Sequence, residues 1–235
     1  MPPEPFVACE SEFPPIMGIA HFYATLTAVP LMLVPISASR EAIAALSHSH
    51  HTEERAYLLY WTSCLTLLFF TNLLQHTLGP SCNVYHEAMA AVQSVANAGL
   101  LNALRRREGS LSSLPLSAMR VFVVVATAGA ILVTVRAPHR QAVVCAPLTA
   151  LTAPFIMWTT GVLSRGDALA WPRFLRSCVG LVVVLAATGV EPHVCGVPIV
   201  APLYHALLDH GAIVLLFGSV SRNAVHLTVR PRWAE

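Results

Sequence analysis

Seven long apolar runs dominate the chain, and no other feature restricts its fold as much. They fall at about 16–36, 56–78, 85–104, 119–135, 142–163, 174–190 and 200–220, each near the ~20 residues a helix needs to cross the hydrocarbon of a bilayer. Charged residues make up only 11% of the chain and the mean hydropathy is +0.63, whereas a soluble domain carries about 25% charged residues. The runs therefore predict an all-α integral membrane protein, a seven-transmembrane-helix bundle forming one domain over residues 1–235. The third run is the least hydrophobic and the fourth and sixth are short, so hydropathy alone also admits six spans.

Arginine placement arbitrates, because short cytosolic loops are enriched in basic residues. With the N-terminus outside, the cytosolic segments hold twelve arginines: Arg40, Arg55, Arg105, Arg106, Arg107, Arg120, Arg165, Arg173, Arg176, Arg222, Arg230 and Arg232. The outer segments hold two, Arg136 and Arg140. This count favours seven spans, with a short outer segment at 1–15 and a cytosolic tail at 222–235. Dropping the third run would put the Arg105–Arg107 cluster on the outer side. That cluster reads as a stop-transfer signal with secondary phospholipid contact.

The chain has no lysine, and its arginines are too scattered for a nucleic-acid footprint. Membrane lipids are the expected partners, in the plasma membrane or a secretory-pathway membrane. The six cysteines (9, 64, 82, 145, 178 and 195) follow no C-x-x-C spacing, so zinc-ribbon and thioredoxin-like motifs are absent. A cleaved signal peptide needs a basic opening segment, but Glu4, Glu10 and Glu12 precede the first run. Although Ser37-Ala38-Ser39 imitates a cleavage site, the first run is read as a retained span. Prolines at 30, 35, 147 and 154 predict kinks rather than loops, since neighbouring helices can satisfy freed carbonyls in a membrane. His48, His50 and His51 beside Glu53 and Glu54 could hold a metal, but a solvated loop tract explains them more simply.

On this topology, ionisable groups within spans gather at the outer face, where they are costly and mark function by default. His76 ends span two, His86 and Glu87 open span three, and His205 and Asp209 lie in the first turns of span seven. His21 and His193 lie toward the same side. Asn72 and His76 project about 40° apart, as do His205 and Asp209, so each pair can address one point. His86, Glu87, Gln93, Ser94 and Asn97 fall within roughly 120°, a stripe expected to face the bundle interior. His210, about 140° from His205, is expected to meet a different neighbour or the headgroups. Imidazole and carboxylate donors suit zinc. The expected ligands are His76, His205 and Asp209, with Glu87 as base and Asn72 as an oxyanion donor. The alternative is a polar network that only holds helices together.

The stretch LFFTNLLQHTLGPSCNVYHEAMAAVQS, Leu68 to Ser94, followed much later by LYHALL, resembles the myomaker-like branch of a seven-span membrane hydrolase superfamily. That superfamily also contains the alkaline ceramidases and the progestin/adipoQ receptors. Its pattern is a Ser four residues before a His at the end of span two, an Asp opening span three, and HxxxH in span seven. In its enzymes the three histidines hold zinc, and the site hydrolyses lipid amides or esters. The resemblance puts His76 at the span-two His, Asn72 at the Ser and Glu87 at the Asp, with an eleven-residue interval from His76 to Glu87. Gly79-Pro80 and Cys82 resemble the connecting loop of the myomaker-like branch, whose members fuse or remodel membranes.

Span seven departs from the pattern. If His205 matches the second His of HxxxH, Ala201 stands at the first; if it matches the first, Asp209 stands at the second. His193 or His21 would then be a substitute ligand. Cys82 and Cys195 lie in adjacent outer loops on an oxidising side, so a disulfide between them is an expectation, with Cys9 the competing partner. The remaining cysteines read as apolar fillers.

Overall fold

A computed structural model of the chain describes residues 15–46, 52–107 and 115–136, with seven scattered helical residues between 172 and 183. About nine-tenths of the described residues are helical, and none forms a strand. Five helices account for the three continuous stretches. These are α1 (Phe22–Leu31), α2 (Leu33–Leu46), α3 (Thr52–Leu78), α4 (Asn83–Arg107) and α5 (Leu116–Arg136).

The first apolar run begins its helix later than its hydropathy suggests. Residues 16–19 make a tight turn closed by Ile16 and Ile19, with Met17 at φ 56° and Gly18 at φ 81°. This left-handed pair, unusual for a methionine, turns the chain so that helix starts only at Phe22. α1 and α2 then follow each other through Met32 alone, whose N–H bonds back to Val29 O at 3.1 Å. Pro35 has no N–H to offer Leu31 O, which leaves a local tightening at this point. The prolines thus interrupt the helix without replacing it by a loop. Together Phe22–Ala44 form one apolar segment of 23 residues.

Two segments, Phe22–Ala44 and Glu54–Leu78, are long and apolar enough to cross a membrane. α4 has a comparable length of 25 residues, but its polar residues lower its hydropathy. The apolar part of α5, Ser117–Val133, is shorter. The fifth and seventh runs and most of the sixth lie outside the described residues.

α3 is the central element, packed against α1, α2 and α4. Leu58, Trp61, Leu65 and Phe69 recur at helical spacing and are buried with Leu31, Ala38 and Ala42 on one side and Val92, Ala96, Leu100 and Leu104 on the other. Its opposite surface is also apolar, with Leu59, Leu67 and Phe70 exposed. A helix that is hydrophobic all round belongs in a bilayer or a large core.

The threonines of α3 conform to that setting. Thr62, Thr66, Thr71 and Thr77 each donate their hydroxyl to the carbonyl four residues earlier, at 2.8–3.0 Å. Folding a hydroxyl onto its own helix satisfies it without water or a partner helix.

α4 approaches α3 closely because small residues line the contact. A Cβ on Gly99 would lie 3.0 Å from the ring of Tyr57, so the bare backbone is what admits the ring. On the far side, Tyr60 and Thr127 share a hydrogen bond of 2.8 Å that ties α3 to α5.

Candidate functional site

α3 ends at Leu78 and α4 starts at Asn83, with only Gly79 and a single turn of 3-10 helix, Pro80–Cys82, between them. The turn follows from local chemistry. Gly79 has φ 86°, the left-handed conformation that commonly ends helices and that glycine adopts without a Cβ penalty. Its N–H returns to Gln75 O at 2.9 Å, and Cys82 N–H reaches Gly79 O at 3.1 Å. Ala20 packs against it so closely that a Cβ would sit 3.2 Å from Ala20 Cβ. The corner places the last two turns of α3, with Asn72 and His76, beside the first two turns of α4, with His86 and Glu87.

The segment before α1 docks on the same end. The last carbonyls of a helix lack intrahelical donors. Two of those in α3 are satisfied from outside: Ala20 N–H donates to Thr77 O at 3.1 Å and His21 N–H to His76 O at 2.9 Å. These bonds bring two imidazoles together. The rings of His21 and His76 lie 6.0 Å apart between centroids, at 64° to each other, and both residues are only 7% exposed. His21 occupies the N-cap position of α1 but makes no side-chain cap hydrogen bond. At that position Ser, Thr, Asp and Asn are preferred because their side chains do cap.

Of the residues expected at the site, the described part of the chain brings His76, Asn72 and Glu87 to one end of the bundle. His76 is buried, while Asn72 and Glu87 are half-buried. Cys82 is buried in the corner. His205, Asp209, His210, His193, Ala201, Cys195 and Cys9 lie outside the described residues, as do His48, His50 and His51. Among the described residues no three His, Cys, Asp or Glu side chains are grouped to hold a metal.

The polar stripe of α4 divides into two parts. His86 and Glu87 are half-buried at the corner, whereas Gln93, Ser94 and Asn97 are buried deep between helices. There Trp61 donates its indole N–H to Asn97 Oδ1. The same oxygen accepts from Gln93 Nε2 at 3.2 Å. Sequence reasoning found the stripe but not Trp61. A usable signal existed, since an indole N–H can only donate and normally finds an acceptor when buried.

Comparison with known proteins adds no assignment: no family model, curated protein or solved structure matches the chain.

Proposed function

We propose that the chain is a multi-pass membrane protein related to the zinc-dependent lipid hydrolases, with seven spans and an outer N-terminus. Its site would open at the outer or lumenal leaflet and cleave an amide or ester bond in a lipid. The observation that carries this reading is the meeting of Asn72, His76 and Glu87 at one end of the bundle, joined there by His21. His76, His205 and Asp209 are the proposed metal ligands, and a zinc ion held there contributes Lewis acidity. Glu87 takes a proton from the water that adds to the acyl carbon. Asn72 donates its amide N–H to the carbonyl oxygen as that oxygen gains charge. The C–N or C–O bond then breaks, and the proton passes to the departing amine or alcohol.

The test is turnover of ceramide and lipid-ester substrates by the full-length protein in nanodiscs. Wild type is expected to release fatty acid. Glu87→Gln should reduce the rate by at least about a hundredfold, as loss of a catalytic base does, and His76→Ala should abolish turnover by removing a metal ligand. Full turnover by His76→Ala would rule the reading out.

A second reading is favoured by Ala201, which cannot ligate a metal where the family pattern has histidine. On it, the protein fuses or remodels membranes without hydrolysis, and the polar end of the bundle is structural. Expression at the surface of non-fusing cells separates the two. Cytoplasmic mixing that survives Glu87→Gln supports this second reading, and an absence of mixing counts against it.

A further inference from the structure

The end of the bundle away from the His21 and His76 corner is rich in arginine. There α2 and α4 end, and α3 and α5 begin. Arg40, Arg55, Arg105, Arg106, Arg107 and Arg120 lie on these helix ends, against Glu41, Glu53 and Glu54. Contacts between the helices set the depth of each. A Cβ on Gly99 of α4 would meet the ring of Tyr57 from α3 and the side chain of Val123 from α5, so these three positions are level. Since α4 runs antiparallel to both neighbours, Arg55 and Arg120 stand level with Leu101 and Asn102, and Arg105 and Arg106 lie about one turn further out. Three helices thus present guanidinium groups at nearly one depth.

Arg55 is the informative member. It is half-buried, and its Nε is buried without a hydrogen-bond partner among the described residues. A guanidinium drawn out of water needs an anion, because a buried unpaired charge is expensive. Glu41 on α2 is exposed and already accepts from Ser37 Oγ at 3.4 Å. One turn inward from Arg55 and Arg120, Leu59, Val124 and Val125 are exposed, an apolar surface suited to acyl chains at the adjoining depth. We propose that this end of the bundle binds the phosphomonoester headgroup of an anionic lipid, held by Arg55 of α3 together with Arg105 and Arg106 of α4. A phosphomonoester carries three acceptor oxygens and nearly two negative charges, enough to serve planar guanidinium forks from two helices. Basic pockets between membrane helices on the cytosolic side take such headgroups. The inference rests on the proposed function only in that these helices cross a bilayer with this end in the cytosol; it asks nothing of the metal or of hydrolysis.

The test places the full chain in phosphatidylcholine nanodiscs that contain either phosphatidic acid or phosphatidylserine, and counts by native mass spectrometry the lipid retained on release. Wild type should retain phosphatidic acid in preference to phosphatidylserine, and excess inorganic phosphate should not displace it. Arg55→Lys should weaken retention by at least about tenfold, the loss of one charge-assisted hydrogen bond. Lysine serves as a topology signal as well as arginine does, so a topology role for Arg55 would leave this readout unmoved. Arg105→Gln combined with Arg106→Gln should weaken retention similarly from the second helix, which covers the case in which a change at Arg55 disturbs α3. Arg40→Gln and Arg136→Gln each remove one exposed charge outside the proposed ligands and should leave retention unchanged.

Undiminished retention of phosphatidic acid by both Arg55→Lys and Arg55→Gln overturns the inference. So does equal retention of the two lipids that falls alike with every arginine removed, Arg40 included, because that is diffuse attraction rather than a site. Displacement of the lipid by inorganic phosphate assigns the guanidinium groups to a free phosphate and overturns the lipid headgroup. Wild type that retains no phosphatidic acid while releasing fatty acid overturns this inference and leaves the hydrolase reading standing. Retention that depends on Arg55 in a protein without turnover does the reverse.

Discussion

α3 and α4 carry two polar regions, one built of neutral amides and an indole deep in the packing, the other of titratable side chains at the corner between the helices. Midway along the pair, Trp61, Gln93 and Asn97 converge on one amide oxygen, buried on every side. None of these three groups titrates in the physiological range. At the corner, where the chain reverses, the imidazoles of His21 and His76 lie ring to ring, and backbone bonds tie the His21 segment to the end of α3. Buried neutral amides with a fixed acceptor specify how helices sit against each other. Titratable groups beside a turn can exchange protons and ligands.

The largest expected effect would break the packing half of this contrast. Trp61→Ala removes a fully buried indole and should destabilise by about 3–5 kcal/mol, read as loss of folded protein in an SDS titration from mild detergent. Next comes the corner. If His76 holds a metal as the proposed function requires, removing that metal by chelation should lower the stability of wild type by about 2.7 kcal/mol when its free concentration had been a hundred times Kd, and leave His76→Ala unmoved. Asn97→Leu strands the Trp61 N–H and the Gln93 amide in the interior and should cost about 1–3 kcal/mol, without altering metal content. Gly79→Ala forces a left-handed alanine against Ala20 and should cost about 1–2 kcal/mol. Unlike Asn97→Leu, it should also displace Ala20 and speed hydrogen exchange of the Ala20 and His21 amides bonded to the end of α3. The smallest effect belongs to Gln93→Leu. Gln93 Oε1 is buried without a hydrogen-bond partner among the described residues, and Trp61 still serves Asn97 when Gln93 is gone. The change should stay within about 1 kcal/mol. A loss as large as that of Asn97→Leu would show that the network depends on both donors.

Much of this contrast is legible in the chain itself. The second apolar run, 56–78, ends where α3 ends, and the third and fourth runs lie inside α4 and α5. The inward stripe on α4 follows from helical periodicity alone, because burial of Gln93, Ser94 and Asn97 obeys the same 100° step. What periodicity does not carry is contact between elements. The start of the first helix at Phe22 depends on where Ala20 and His21 find acceptors, and those acceptors lie more than fifty residues away. The same holds for Trp61 and Asn97, 36 residues apart. Hydropathy ranked α4 lowest of the helices for the reason that makes it informative, since its polar residues are spent on the interior. Seven spans, the orientation in the membrane and the span-seven half of the site concern residues or relations outside the described ones.

The corner at Gly79 also binds together two parts of the chain that lie far apart in sequence. One left-handed residue and a single 3-10 turn leave α3 and α4 almost no slack, so the short connection fixes the end of α3 against the start of α4. Ala20 and His21 reach the same end from before α1 and give their N–H groups to Thr77 O and His76 O. Carbonyls that a helix end ordinarily leaves to solvent are here closed by the chain itself. The end of α3 and the start of α1 therefore cannot fray independently: loosening either one exposes the polar backbone of both.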